Sequence, residues 1–411
     1  MKKNLLFLFL TFIAFNSESQ VTEDWEIAID SYKHNSTNYS EDEPPIEFVV
    51  LSNSDIVVIT QNETLAKLDS LGNLIWKKSF KPTGTLKYRY NTQRIEKDNH
   101  DNIYIIKDNL LEKYNSDGVS IWQKDFASLL NKKRLKLRAI TTDKFNNLYF
   151  ASDEFYKNKV YVFKINNDGK LQWKRKIKQK IKSWDNGTVP PKEIFCFSDN
   201  IYILQHSYDS KNSLINKFNS KGKKREEIII GYKVANIKSS DSSLFTVGIT
   251  NLYAKNDKIK ILELDENLLK LDSIDYKLPR NIFYSKKAIR GSSQYPPPTK
   301  EEYEKNNITS YRIEDFVIDS NNNFLIVGAS SNKQWLIKLN QNGELLFNWD
   351  KENKAYFKYN NFATFHNQEL SRIKIHNDKL LITGLIQEED FGEERFIYNI
   401  NLFIKQVDTN N

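Results

Sequence analysis

Cysteine and methionine are almost missing from this chain of 411 residues, which has one of each, Cys196 and Met1. A single cysteine excludes an intramolecular disulfide, so the fold has to stand on its apolar core. Chains above about 300 residues can do so, because they bury roughly three quarters of their unfolded surface. Cys196 lies in the apolar stretch IFCF and reads as an inert, buried thiol. Histidine is scarce too: His34, His100, His206, His366 and His376 show no HxH or HxxxH spacing. No metal is therefore expected, and His34 with His366 is the nearest approach to a ligand pair. There is no G-x-S-x-G elbow, phosphate loop or EF-hand loop. After residue 20 no apolar run approaches the roughly 18 residues of a spanning helix, so the chain is not expected to span a membrane.

The one sustained apolar run lies at the start, from Leu5 to Phe15 and broken only by Thr11. Lys2 and Lys3 precede it, and the small residues Ser17 and Ser19 follow. That order is the order of a secretory signal, with residues 1–19 as the leader and cleavage near Ser19 and Gln20. It predicts a periplasmic or secreted protein. No cysteine stands near the cut, so acylation is not expected there. The net charge is +8, and its excess is concentrated in KKRLKLR at 132–138, KRKIKQKIK at 174–182 and KGKKR at 221–225. Such a surface favours anionic partners such as acidic glycans, lipopolysaccharide or anionic head groups, so an anionic glycan or a protein partner is expected, and export argues against nucleic acid.

What fills the chain is a repeat. It reads TLAKLDSLGNLIWKKSF at 64–80, LLEKYNSDGVSIWQKDF at 110–126 and VYVFKINNDGKLQWKRKI at 160–177. Weaker copies follow at 213–230, 258–276 and 333–351, and a truncated one ends the chain at 401–411. Repeats of roughly fifty residues made only of short strands predict an all-β propeller. With four antiparallel strands each, the blades fall at about 46–80, 94–126, 137–177, 192–230, 234–277, 312–351 and 371–408, in a single domain over 20–411. The seventh lacks an outer strand. Residues 22–32 are expected to supply it, since TEDWEIAI puts Trp25 where Trp76 stands in GNLIWKKS, and a seven-bladed ring closed this way has no free edge there.

The repeated residues have structural roles to fill. Trp25, Trp76, Trp122 and Trp173 sit on outer strands, where an indole can cover the core between blades. Gly72, Gly118, Gly169, Gly222 and Gly343 stand in hairpins that need a positive φ. Lys67, Lys113, Lys164, Lys217, Lys338 and Lys405 are expected on the polar side of their strands by period-two alternation. The string D-x-x-N-N-x-Y at Asp143–Tyr149, its kin DNHDNIY at Asp98–Tyr104 and the following K-apolar-D/N-x-x-G-x-x-x-W resemble the propeller repeats of exported, lipoprotein-like bacterial proteins. The resemblance runs from about residue 46 to the end and implies a propeller that binds, scaffolds or catalyses. The G-x-x-x-W ending is also similar to quinoprotein repeats. Those imply a set of residues contacting quinone and calcium that has no counterpart assignable here, so no cofactor is expected.

Turns between first and second strands and between third and fourth strands are short, whereas the other connections hold the insertions 81–93, 127–136, 178–191, 278–311, 352–370 and 387–399. Binding residues concentrate in such loops. The candidates are Trp184 in 178–191 and Tyr284, Arg290, Tyr295 and Tyr303 in 278–311, beside the polyproline-like Pro296–Pro298. These aromatics offer a platform for a sugar ring or peptide, or else pin down their own loops. No catalytic residue is assigned. The expected function is a non-catalytic binding or scaffold module for a glycan, peptide or protein on the loop-rich face. The alternative is an envelope enzyme, a polysaccharide lyase or hydrolase before a quinoprotein oxidoreductase, which Arg, Asp, Glu or His gathered from several inner strands would favour.

Overall fold

A computed structural model of the chain describes residues 22–34, 47–60, 64–80, 94–107, 109–131, 135–154, 159–177, 189–207, 212–240, 242–250, 258–277, 312–330, 333–352, 355–356, 364–377, 379–391 and 396–408. The expected leader lies outside them. Six antiparallel sheets of four strands follow one another, each with its strands in chain order. From inner to outer strand, blade 1 runs from Glu47–Val50 to Leu74–Ser79, blade 2 from Ile95–Lys97 to Ser120–Asp125, and blade 3 from Leu135–Thr142 to Leu171–Ile177. Blade 4 runs from Pro191–Phe197 to Lys224–Ile230, blade 5 from Lys233–Ser239 to Lys270–Lys277, and blade 6 from Arg312–Ile318 to Leu345–Glu352. The architecture is an all-β propeller.

Among the described residues there are thus six blades of four strands where seven were expected. Between blade 6 and blade 1 stands a sheet of different make, five strands in the order Thr22–His34, Phe396–Asp408, Lys379–Phe391, Thr364–His376 and Ala355–Tyr356. Its strand Thr364–His376 lies against the inner strands of both blade 6 and blade 1. At its other edge Thr22 pairs with Asp408 and His34 with Tyr398.

Because each blade is sandwiched between two others, its middle strands are buried on both faces and read as unbroken apolar runs, such as IVVI at Ile56–Ile59 and IYIIK at Ile103–Lys107. Outer strands alternate between exposed and half-buried residues, as in LIWKKS at Leu74–Ser79. The core accordingly lies between blades: Tyr104 and Leu111 of blade 2 pack with Leu137, Phe150 and Phe163 of blade 3.

The conspicuous repeat residues share one cross-strand row. Tyr149 pairs with Lys164 and Lys164 with Trp173, and Tyr104, Lys113 and Trp122 repeat the arrangement. The row staples a blade to its successor: Trp122 Nε1 donates to the Asn167 carbonyl at 3.1 Å and Trp173 Nε1 to that of Ser220 at 3.0 Å. At the foot of the row Tyr104 donates its hydroxyl to Asp98 at 3.0 Å, and Lys113 Nζ lies 3.7 Å from the same carboxylate. Lys67, Lys113 and Lys217 are buried, so the polar side on which these lysines were expected faces protein rather than solvent. Lys67 pairs with Asp55 at 2.8 Å and Lys338 with Asp319 at 3.1 Å, so a carboxylate in the first turn neutralises the buried ammonium.

Candidate functional site

The inner strands begin at the loop-rich face, and there they depart from regular pairing. Leu137/Ala139, Pro191/Glu193, Val234/Asn236, Ile313/Asp315 and Leu370/Arg372 each flank a register shift, so Arg138, Lys192, Ala235, Glu314 and Ser371 are bulged out at equivalent places. A β-bulge re-aims the side chains beside it. Here it delivers charged groups from successive strands to the axis. The second strand opposite carries Gly248, where a Cβ would come within 2.3 Å of the Lys233 carbonyl, so the bulged backbone leaves no room for a side chain.

These charges are used between blades. Glu47 accepts from the backbone N–H of Arg94 and, at 3.0 Å, from the Arg372 guanidinium. Glu193 accepts from the N–H of Ile237 at 3.0 Å, and Asp315 from the N–H of Ile373 at 3.2 Å and from the Asn236 amide. Lys238 Nζ lies 3.6 Å from Asp315. The result is a set of carboxylates, each tying its own inner strand to the backbone of the next one, at its start for Arg94 and within the strand for Ile237 and Ile373.

Burial sets the electrostatics. It raises the pKa of Glu96 and of Glu193, although Lys374 and Lys238 respectively oppose the rise. Burial acts the same way on Asp315, but Lys238 and Arg372 outweigh it and hold that carboxyl below its usual range. Lys238 is kept above the usual lysine range, because Asp315 and Glu193 outweigh its own burial. Lys192 behaves differently: burial, then the Arg372 and Lys233 charges, push its ammonium down to about 7. It donates to the Ala235 carbonyl and has no carboxylate at ion-pair distance among the described residues. Burial and the Lys192 and Lys233 charges also push His206 well below the ordinary imidazole value, so it is neutral at pH 7.

Trp184, Tyr284, Arg290, Tyr295 and Tyr303, the residues singled out from sequence, lie outside the described residues, as do the 178–188 and 278–311 segments. Both segments lead directly into inner strands that carry the axial charges. Cys196 is half-buried rather than fully buried, and burial followed by the Asp143 charge pushes its thiol up, so it is protonated and unreactive at neutral pH. His34 and His366 sit on the first and fourth strands of the five-stranded sheet, about 14 Å apart by strand spacing. Among the described residues no three or more His, Cys, Asp or Glu side chains are grouped to hold a metal ion. No helix among them is long and apolar enough to cross a membrane.

The axial cluster left only a faint trace in the sequence. Its members come from successive inner strands that start 40 to 79 residues apart, and the bulge that aims them has no one-letter signature. The adjacent charges Lys192–Glu193 and Glu314–Asp315, each entering an apolar strand, are the local sign of it.

Blades radiating from charged inner strands define a β-propeller. No family model matches the chain, and no curated protein matches its sequence. Solved structures similar to it include the β-propeller domain of Cps50 (Swd1) from Myceliophteria thermophila, at 9% identity over 91% of this chain and 99% of that one, with a TM-score of 0.49. BamB from Moraxella catarrhalis matches at 8% identity over 92% and 97%, with a TM-score of 0.44. A protein of unknown function from Bacteroides caccae matches at 10% over 75% and 94%, with a TM-score of 0.43.

Proposed function

We propose that this chain is an exported, non-catalytic binding module, a seven-bladed propeller that holds an anionic glycan or protein partner on its loop-rich face. In this reading the five-stranded sheet is the seventh blade, and Thr22–His34 is the strand that completes it. The observation that carries the proposal is the engagement of the axial carboxylates. Glu47, Glu193 and Asp315 each accept a backbone N–H from the next inner strand, so the charges tie together the inner strands that carry the loops. A site built for acid–base turnover would keep such groups directed at a substrate. Inner strands tied in this way suit recognition, because preorganised loops lose less entropy on binding. The excess of lysine and arginine favours an anionic partner.

The test is binding of the mature chain to immobilised uronate-rich or sulfated glycans and to envelope proteins, with Trp184→Ala and Tyr295→Ala as variants. Weakened binding at an unchanged melting temperature supports the reading. One observation favours the alternative of an enzyme acting on an anionic polysaccharide: Lys192, brought down to about 7, has the proton affinity of a general base. Release of new reducing or unsaturated ends from such a polysaccharide, abolished by Lys192→Met, would replace the binding reading with that one.

A further inference from the structure

Blade 5 lacks the lysine that the same row carries in every other four-stranded blade, and a groove lies beside it. In the cross-strand row that reads Tyr, Lys, Trp in blades 2 and 3 and keeps its lysine in blades 1, 4 and 6 as Lys67, Lys217 and Lys338, blade 5 has Phe245 paired with Glu263 and Glu263 paired with Asp272. The first turn, which supplies Asp98 in blade 2 and Asp143 in blade 3, supplies Ser240 instead. Lysine and indole are both gone. Two carboxylates take their places, and no cation pairs with either among the described residues. Directly opposed residues have Cβ atoms only about 5 Å apart, and like charges so placed repel.

Blades 5 and 6 leave a groove of about 330 Å³ on the short-turn face; blades 3 and 4 leave one of about 380 Å³ there, but it is lined by Lys164 beside Asp143, whereas the groove of blades 5 and 6 has carboxylates and no lysine. Its apolar lining is Phe245, Ile261, Ile274 and Phe324, and its rim includes Glu263, Asp272 and the Gln341 turn. Gln341 occupies the position of Asn167 and Ser220, whose carbonyls accept the indole N–H in the earlier blades. The groove therefore combines an apolar surface with two carboxylates and a turn made to receive a donor. A lysine side chain is complementary to all three, laying its methylenes on the apolar lining and its three N–H donors among the oxygens.

We propose that the groove between blades 5 and 6 is a recognition site for a lysine side chain of a partner polypeptide. The partner's ammonium would restore the charge that Lys113 and Lys164 provide within their own blades. This site is separate from the loop-rich face, and its success or failure is independent of what binds there.

The experiment is a titration of the intact mature chain with acetyl-Ala-Lys-Ala-amide and with its Nε-acetylated counterpart, followed by peptide-observed NMR. Loss of a charge-assisted hydrogen bond corresponds to about tenfold, so the charged peptide should bind at least roughly tenfold more tightly. Glu263→Gln with Asp272→Asn should remove that preference, and Glu263→Lys with Asp272→Trp, which rebuilds the row of blades 2 and 3, should abolish binding. Equal binding of the two peptides by the unaltered chain, or no binding of either, overturns the proposal whether or not the variants fold. A preference kept by the doubly neutralised chain overturns it as well.

Discussion

Arg372 and Glu47 are 325 positions apart in the chain, and the guanidinium of one donates to the carboxylate of the other at 3.0 Å. The other carboxylate oxygen of Glu47 accepts from the backbone of Arg94. One buried side chain thus touches three consecutive inner strands. Breaking a buried pair by removing one partner leaves an unpaired charge and costs about 3–5 kcal/mol. Glu47→Gln should accordingly lower the denaturant midpoint by an amount equivalent to about 3 kcal/mol. Asp199→Asn, which breaks the Lys144–Asp199 pair between side chains 63% and 52% exposed, should change it by less than about 1 kcal/mol. Similar losses from the two substitutions would mean that axial and peripheral charges contribute alike.

Gly118 has a φ of +74°, and a Cβ built on it would stand 3.0 Å from the Trp76 ring of the preceding blade. Two penalties meet at this position, the left-handed backbone and the indole above it. The first alone is worth about 1–2 kcal/mol in a residue with a side chain, so Gly118→Ala should destabilise the fold by about 2 kcal/mol or more. Gly231 has nothing within 4 Å of its would-be Cβ, and Gly231→Ala should stay within about 0.5 kcal/mol of the parent chain. Equilibrium urea unfolding of the two variants checks both values.

The propeller was legible because turn chemistry repeats: Asp98, Asn102 and Tyr104 recur as Asp143, Asn147 and Tyr149, and each set closes the same hydrogen bonds. The burial of Lys113 was not legible. Alternation distinguishes two faces of a strand, but in a middle strand of a blade both faces meet protein, so the polar side is not a wet side. The axial cluster escaped because its residues meet only when the ring closes. Blade 5 did carry a sign of its difference: Leu268, with a φ of +63°, stands where Gly118 and Gly169 stand in other blades, and Glu263 stands where lysine recurs. The aromatic residues of 178–191 and 278–311 lie outside the repeat, and a repeat has no pattern with which to position its own interruptions.

Lys192 gives the fold a pH dependence of definite sign. Its ammonium faces Arg372 and Lys233, which push its pKa down after burial, with Glu193 and Glu314 opposing, so that it falls from 10.5 to about 7. Between those two values the unfolded chain holds a proton that the folded chain lacks. Stability from this group therefore rises with pH across the window, and below pH 7 the full penalty of burying the charge is present. Lys192→Met should raise the melting temperature at pH 6, and the gain should shrink as the pH approaches 10. A gain that does not vary with pH would mean that Lys192 is charged throughout, with Glu193 and Glu314 as effective partners.

The strand Thr22–His34 forms backbone pairs with Phe396–Asp408 along nearly its whole length, from Thr22 opposite Asp408 to His34 opposite Tyr398. Without it, Phe396–Asp408 would become the outer edge of its sheet and present a row of unpaired N–H and C=O groups. Deleting residues 20–34 should therefore lower the melting temperature by about 5 °C or more and make the chain self-associate in proportion to its concentration. A synthetic peptide of residues 22–34 added in excess should reverse both effects, since binding only to the folded chain stabilises it by mass action. A deletion variant that melts like the parent and remains monomeric would sink the closure of the seventh blade and leave a propeller of six blades with an appended sheet.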